Sequence, residues 1–329
     1  MRIFVTGGAG YVGSHCVRHL VSAGHAVTVY DSLIHGHRRA VDPKAEFIQG
    51  DLADAKTLDQ AFVAGHYDAL MHFAAFLNVG ESVAQPLKYY RNNIANTITL
   101  LECMQRAGIQ RMVFSSTCAI YGEPDDLPIT EDLPKQPISP YGCSKLAIEW
   151  LLRDSAVAWG LGSASLRYFN AAGAAADGTI GEDHSPEIHL IPVVLQVAQG
   201  KRQNLKVFGT DFPTPDGTCV RDYVHVEDLA DAHLRAVQSL KDGVAEGFNV
   251  GTGRGTSVLE IISAARTVTG HGIPVELTER RAGDPPALYA SSDKLQNRFG
   301  WEPRYRDVEA IIETAWRWHK AHPDGFGPE

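Results

Sequence analysis

Short apolar runs alternate with amphipathic stretches through the first half of the chain. Arg2–Thr6 (RIFVT) reads as a buried strand, Val12–Ser22 as a helix and Ala26–Tyr30 (AVTVY) as a second strand. Glu46–Gly50, Ala69–His72 and Arg111–Ser115 are further strand candidates. Between the last two, Ser82–Ala107 is too long for a strand and carries apolar residues at helical intervals. Tyr141–Trp159 is another long amphipathic helix, followed by the strand-like Ser163–Tyr168. Strands separated by helices in this way predict an α/β fold, a doubly wound parallel sheet with helices on both faces.

The texture changes after Asn170. Ala171–Ile188 is rich in Ala, Gly, Asp and Pro and reads as a loop or a mobile cover. Beyond it come short strands (Lys206–Phe208, Gly247–Val250, Val275–Leu277) and short helices (Val226–Ser239, Ser257–Val268, Val308–His319), punctuated by prolines. This places a first domain over residues 1–170 and a smaller mixed α/β domain over 171–329. The chain is expected to return in part to the first domain around 221–250.

Composition narrows the function classes. The 329 residues are 44% hydrophobic and 21% charged, ordinary for a globular enzyme. A net charge of −9 argues against nucleic acid or an anionic membrane as a partner. No apolar stretch approaches the roughly 18 residues that suggest a spanning helix. The N-terminal residues run straight into a strand and a glycine turn, so no secretory leader is expected and the cytoplasm is the default location. The five cysteines (Cys16, Cys103, Cys118, Cys143, Cys219) form no C-x-x-C pair. Neither a disulfide framework nor a metal is expected from them.

Thr6-Gly-Gly-Ala-Gly-Tyr-Val-Gly13 lies between the first strand and the first helix, with Gly7, Gly10 and Gly13 spaced as G-x-x-G-x-x-G. Glycine gives a tight turn, close approach of backbone to a pyrophosphate and close helix–strand packing, while the helix N-terminus offers N–H groups to the anion. A plain turn would explain the glycines alone; the strand before and helix after make a Rossmann-type dinucleotide site the better reading. Asp31 ends the second strand, where a carboxylate accepts both ribose hydroxyls and repels a 2′-phosphate. The Arg38-Arg39 pair lies too far along to clamp that phosphate. The cofactor read here is NAD.

Tyr141-Gly-Cys-Ser-Lys145 is a Y-x-x-x-K spacing at the start of a helix, so phenol and ammonium share one face. An unperturbed tyrosine, with a pKa of about 10, is a poor base at neutral pH. A neighbouring positive charge, from Lys145 and from an oxidised nicotinamide, is expected to lower it. Phe114-Ser-Ser-Thr-Cys-Ala-Ile-Tyr-Gly122 leaves a strand end, where α/β folds place their chemistry. A hydroxyl here would steady a reacting sugar oxygen, and Ser115, Ser116 and Thr117 compete for the role.

With these segments in view, the chain resembles the extended short-chain dehydrogenase/reductase family, and within it the UDP-glucose 4-epimerase group. The resemblance runs nearly end to end: TGGAGYVGSH at 6–15, GDL at 50–52, HFAA at 72–75, VGESVAQPLKYYRNN at 79–93, FSST-x-x-x-YG at 114–122 and YGCSK at 141–145. It continues through LRYFNAAGA at 166–174, GTCVRDYVHVEDLA at 217–230, FNVGTG at 248–253 and RAGDPP at 281–286. The resemblance implies NAD-dependent interconversion of UDP-glucose and UDP-galactose through a transient 4-keto sugar that swings about its diphosphate bonds. It implies Thr117 as the catalytic hydroxyl, Tyr141 as the base, and Lys145 as its tuner and a contact of the nicotinamide ribose. Further cofactor contacts implied are Gly7, Gly10, Tyr11, Val12, Gly13, Asp31, Asp51, Leu52, Phe73, Ala74, Asn92 and Phe169. UDP-sugar contacts implied are Asn170, Leu190, Arg221, Arg281 and Asp284, the arginines suiting phosphate by their planar fork. The chain departs from some members at Leu77, where they carry lysine, and at Ile188-His189-Leu190, where they carry Asn-Asn-Leu.

Three rival readings remain in the sequence. A nucleotide-sugar 4,6-dehydratase needs an added acid/base pair after the threonine, and Cys118-Ala119 stand there instead. Epimerisation of UDP-N-acetylhexosamines or UDP-pentoses is a closer alternative, with Leu288 at a position that gates room for an N-acetyl group. A non-enzymatic NAD-sensing regulator would tolerate loss of Tyr141 or Lys145, yet both are present. The two long helices are expected to pair with their copies in a homodimer.

Overall fold

The computed structural model describes residues 1–281 and 284–327. In chain order the first half runs β1 (Arg2–Thr6), α1 (Tyr11–Ser22), β2 (Ala26–Asp31), β3 (Glu46–Gln49), α2 (Ala55–Gly65), β4 (Ala69–His72), α3 (Val79–Ala84), α4 (Pro86–Tyr89), α5 (Asn96–Ala107), β5 (Arg111–Thr117), α6 (Pro140–Trp159) and β6 (Gly162–Tyr168). The second half runs β7 (Asn170–Ala172), α7 (Leu190–Ala198), β8 (Leu205–Phe208), β9 (Val220–Arg221), β10 (Tyr223–His225), α8 (Val226–Ser239) and β11 (Ala245–Asn249). It closes with β12 (Thr256–Ser257), α9 (Val258–Thr269), β13 (Val275–Thr278), β14 (Ala287–Leu288), α10 (Asp293–Phe299) and α11 (Val308–Ala321).

Seven parallel strands form the central sheet in the order β11-β6-β5-β4-β1-β2-β3. Strands sandwiched between two helical layers bury both faces, which is why their sequences are apolar throughout rather than alternating. On β1, Ile3 and Val5 enter the core shared with α1 and α8, while Phe4 enters the one shared with α2, α5 and α6. Strand order reverses between β1 and β4. That switch point opens a crevice at the carboxyl ends of the strands, where such sheets bind ligands.

Sequence and structure part at several places, three of which bear on the site. The stretch expected as one helix over 82–107 is broken at Gln85, whose φ of −133° and ψ of 59° are not helical. Pro86 is the cause: its ring drives the preceding residue out of the α region, and it offers no N–H to continue the ladder. Residues 90–95 then form a wide π-helical turn before α5. Second, β5 continues two residues past Ser115 to Thr117. Third, the cover expected over 171–188 begins as a strand, β7, paired with β10, and the rest is tied down. Tyr11 donates to the Gly173 carbonyl at 2.6 Å, Arg18 pairs with Asp177, and Trp318 donates to the Glu182 carbonyl.

The second half has its own core from α7, α9, α11 and β8. Helix α8 lies against α1, and β11 adds to the central sheet beside β6. Among the described residues no helix is long and apolar enough to cross a membrane.

Candidate active site

The glycine turn is shaped by what a side chain would strike. Gly7 has φ +73°, and a Cβ there would sit 2.4 Å from the Ala74 nitrogen. A Cβ on Gly13 would sit 2.2 Å from the Gly7 carbonyl oxygen, so α1 could not approach β1. At Gly10 the nearest atom would be 3.4 Å away, so the fold itself scarcely demands glycine at this position. Gly10 is also the N-cap of α1; no side chain caps the helix and no acid occupies its first turn. The first-turn N–H groups, on Tyr11, Val12 and Gly13, have no acceptor within the helix. That open, uncharged cradle fits a dinucleotide pyrophosphate.

Asp31 stands at the end of β2, buried, one oxygen accepting from the Ala9 N–H and the other from the Leu33 N–H, both at 2.9 Å. It therefore organises the glycine turn as well as presenting a carboxylate there. Burial raises its pKa against those two hydrogen bonds. Asp51 lies exposed after β3 and Leu52 is buried next to it. Phe73 follows β4, its N–H on the Thr6 carbonyl and its ring 4.8 Å from that of His233, and Ala74 backs Gly7. Asn92 and Asn93 both sit in the π turn. Asn92 donates to the Asn93 amide oxygen, whereas the buried Asn93 bonds the backbone of Phe76 at both N–H and C=O and the Ser144 hydroxyl. Asn93 thus couples this turn to α6, a role the sequence reading gave to no residue.

Each of the three competing hydroxyls at the end of β5 has a different neighbour. Ser115 Oγ lies 2.5 Å from the Tyr168 hydroxyl, and Ser116 donates to Glu149 at 2.6 Å. Thr117 accepts from the Ala119 N–H at 3.1 Å and is the side chain whose influence lowers the Tyr141 phenol. Tyr141 lies in the first turn of α6, which starts at Pro140 and is capped by Ser139. Lys145, one turn on and buried, donates to the Ser115 carbonyl at 2.8 Å, with Nζ 5.9 Å from the centre of the Tyr141 ring.

The electrostatics differ from the sequence expectation. Burial pushes the Tyr141 phenol up to about 12, the Thr117 hydrogen bond opposing it, and pushes Lys145 down to about 7. The lysine donates to the Ser115 carbonyl, and in the protein alone desolvation is the dominant influence on the tyrosine.

A buried network holds this geometry. Arg167 on β6 forks onto Glu149 of α6 at 2.9 and 2.6 Å and donates to the Tyr121 hydroxyl at 2.7 Å. Tyr121 in turn donates to Asn249 of β11 at 2.7 Å. Glu149 is also the residue that accepts from Ser116.

On the facing side, Asn170 opens β7 in register with Tyr223 of β10, and Phe169 precedes it, packed against the cluster that holds Cys118 and Tyr121. Arg221 donates to the Val220 and Pro285 carbonyls and lies 3.8 Å from Asp284. Arg281, more exposed, pairs with Asp284 at 3.0 Å and lies over the Phe208 ring. Both arginines thus meet on one carboxylate. Leu190 is the first residue of α7. Ala282 and Gly283 of the RAGDPP segment lie outside the described residues. Leu77 is 44% exposed.

Comparison with known proteins places this geometry in context. The model of the NAD dependent epimerase/dehydratase family matches residues 3–251. A UDP-glucose 4-epimerase of Lacticaseibacillus casei is 55% identical over 328 residues, 99% of each chain. A crystal structure of a UDP-glucose 4-epimerase superposes with a TM-score of 0.97 at 48% identity, covering 100% of both chains. The Bifidobacterium longum UDP-glucose 4-epimerase in complex with NAD+ and UDP gives a TM-score of 0.95 at 37% identity, covering 99% of this chain and 100% of that one.

Proposed function

The chain belongs to the NAD dependent epimerase/dehydratase family, and from that premise we propose that it interconverts UDP-glucose and UDP-galactose at carbon 4 of the sugar. One observation carries the chemistry: the Tyr141 phenol lies close enough to Thr117 for that hydroxyl to oppose its upward shift, with the buried Lys145 one turn behind on the Ser115 carbonyl. NAD, when bound, supplies a hydride acceptor that is restored each turnover and a cationic ring that favours the phenolate.

The chain's own residues do the rest. Tyr141 takes the proton of the 4-hydroxyl and returns it, while Thr117 steadies that oxygen. Lys145 holds the ribose of the cofactor. The cradle of Gly7, Gly10, Tyr11, Val12 and Gly13 holds the pyrophosphate and Asp31 the adenosine ribose. Asp51, Leu52, Phe73, Ala74, Asn92 and Phe169 complete the cofactor wall. Arg221, Arg281, Asp284, Asn170 and Leu190 grip the UDP. A substrate anchored through its diphosphate leaves the flat 4-keto sugar free to turn and present its other face. Purified protein given UDP-galactose is expected to yield UDP-glucose without added reductant. Turnover of UDP-N-acetylgalactosamine alone would overturn the substrate reading.

The protein also acts, in this proposal, as a homodimer in a reducing cytoplasm, the latter supported by five free cysteines. Val83, Leu87, Ile98, Trp150 and Val157 are exposed apolar side chains on α3 to α6, which lie against one another. Such a surface favours a partner. Trp150→Glu is expected to shift sedimentation towards a monomer; a monomeric wild-type protein would refute the dimer.

A further inference from the structure

The segment leading into α7 carries Glu182, His184, Glu187 and His189, an E-x-H-x-x-E-x-H spacing. Their four ligand atoms all lie within 4.8 Å of one another. His189 Nδ1 is 2.7 Å from Glu182 Oε1 and 3.2 Å from Glu187 Oε1. His184 Nδ1 is 3.2 Å from Glu182 Oε1 and 3.7 Å from Glu187 Oε2. A tetrahedron with zinc–nitrogen and zinc–oxygen bonds of about 2.0–2.1 Å has edges of about 3.3–3.4 Å, inside the spread of these separations.

Two details favour a cation over simple ion pairs. Glu182, only 4% exposed, keeps Oε1 buried without a hydrogen-bond partner, and His184 Nδ1 is buried in the same condition. Both atoms face the common centre at contact distance yet lack hydrogen-bond geometry. Buried polar atoms in ion-pair contact but without a well-formed hydrogen bond are costly, and an ion between them removes that cost. Glu187 is oriented for the task, since its Oε1 accepts from the N–H groups of Ile188 and His189 at 2.8 and 2.9 Å. As ligands to an ion the two imidazoles are neutral, so with the two carboxylates the set then carries a charge of −2, which a divalent ion neutralises.

We propose that Glu182, His184, Glu187 and His189 form a structural site for one zinc-class divalent cation. Four protein ligands close the coordination sphere, so the ion has a fastening role and leaves no position for a substrate. It fixes the 182–189 segment where the ring of His184 lies 6.3 Å from that of Tyr11, at the start of α1, and where His189 immediately precedes α7. The cysteine arithmetic that excluded zinc from the sequence does not touch this set, because imidazole and carboxylate ligands suffice.

The test uses the full chain, untagged and purified without chelator. Elemental analysis is expected to find roughly one zinc per chain, in keeping with a single four-ligand site. After chelation, Zn²⁺ but not Mg²⁺ restores the melting temperature, and Co²⁺ gives the visible absorption of a tetrahedral centre. The cobalt spectrum needs no variant, so it stands even if Glu182→Gln fails to fold; a folded Glu182→Gln or His184→Gln protein loses or shifts the band. Wild-type protein that retains no metal, shows no cobalt band and does not respond to Zn²⁺ overturns the proposal. A cobalt band unchanged in both folded variants does so too.

Discussion

Removing the guanidinium of Arg167 is the sharpest perturbation of the frame around the site. Arg167 and Glu149 are 7% and 10% exposed, joined by two hydrogen bonds across β6 and α6. Truncation to Met leaves Glu149 as a buried carboxylate with the Ser116 hydroxyl as its remaining partner here. Breaking a buried pair from one side costs about 3–5 kcal/mol, because the orphaned charge stays desolvated. An unfolding entropy of about 2.1 cal/mol/K per residue, over this chain, converts that to a melting temperature lower by roughly 4–7 °C. Arg167→Met/Glu149→Gln removes both charges and is expected to recover most of the loss, giving a large coupling energy in a double-mutant cycle. Since Ser116 adjoins Thr117, Arg167→Met should also lower kcat. Differential scanning calorimetry of wild type, both single variants and the double variant provides the assay. If Arg167→Met melted within about 1 °C of wild type, or if the single losses simply added, the network would not be what holds β5, β6 and α6 in place.

Two further outcomes follow from the same geometry. Gly13→Ala is expected to lower the melting temperature, since its Cβ would meet the Gly7 carbonyl at 2.2 Å, whereas Gly10→Ala should melt near wild type while losing bound NAD. Equal thermal losses in the two variants would show that Gly10 serves the fold rather than the ligand. His72, enclosed by Thr6 and Thr97, is pushed down to about 3 by burial and then by Lys145. Its unfolded counterpart takes up a proton near pH 6.5, so the stability from the neutral ring is complete above that pH and drains as pH falls towards 3. Melting temperature should therefore fall less steeply between pH 6.5 and 4 in His72→Gln than in wild type; identical slopes would contradict the assignment.

The central sheet was legible because strands buried on both faces leave continuous apolar runs, as in RIFVT and AVTVY, and the glycine spacing locates the crevice between them. Other features depended on contacts that no local pattern encodes. Arg167 stood in a noted motif, but Glu149 lies 18 positions away on another element. Ser115, Ser116 and Thr117 were equivalent by local pattern, and only the family resemblance pointed to Thr117; in the structure β5 extends to 117 and each hydroxyl has its own partner. Helix α7, LIPVVLQVA, escaped because all but Gln196 is apolar, and so short an apolar run does not distinguish a helix from a buried strand. The helix over 82–107 failed at Gln85-Pro86, a break that Pro86 announced and the apolar spacing obscured.

In the proposed reaction the phenol of residue 141 is the group that exchanges a proton with the sugar. The decisive measurement is kcat for conversion of UDP-galactose to UDP-glucose by Tyr141→Phe, with bound NAD and melting temperature recorded alongside. The expected result is a fall of about 10²- to 10⁴-fold with cofactor retained and stability near wild type. A variant that turns over within a few fold of wild type would contradict it, and the proton would have to travel by another route.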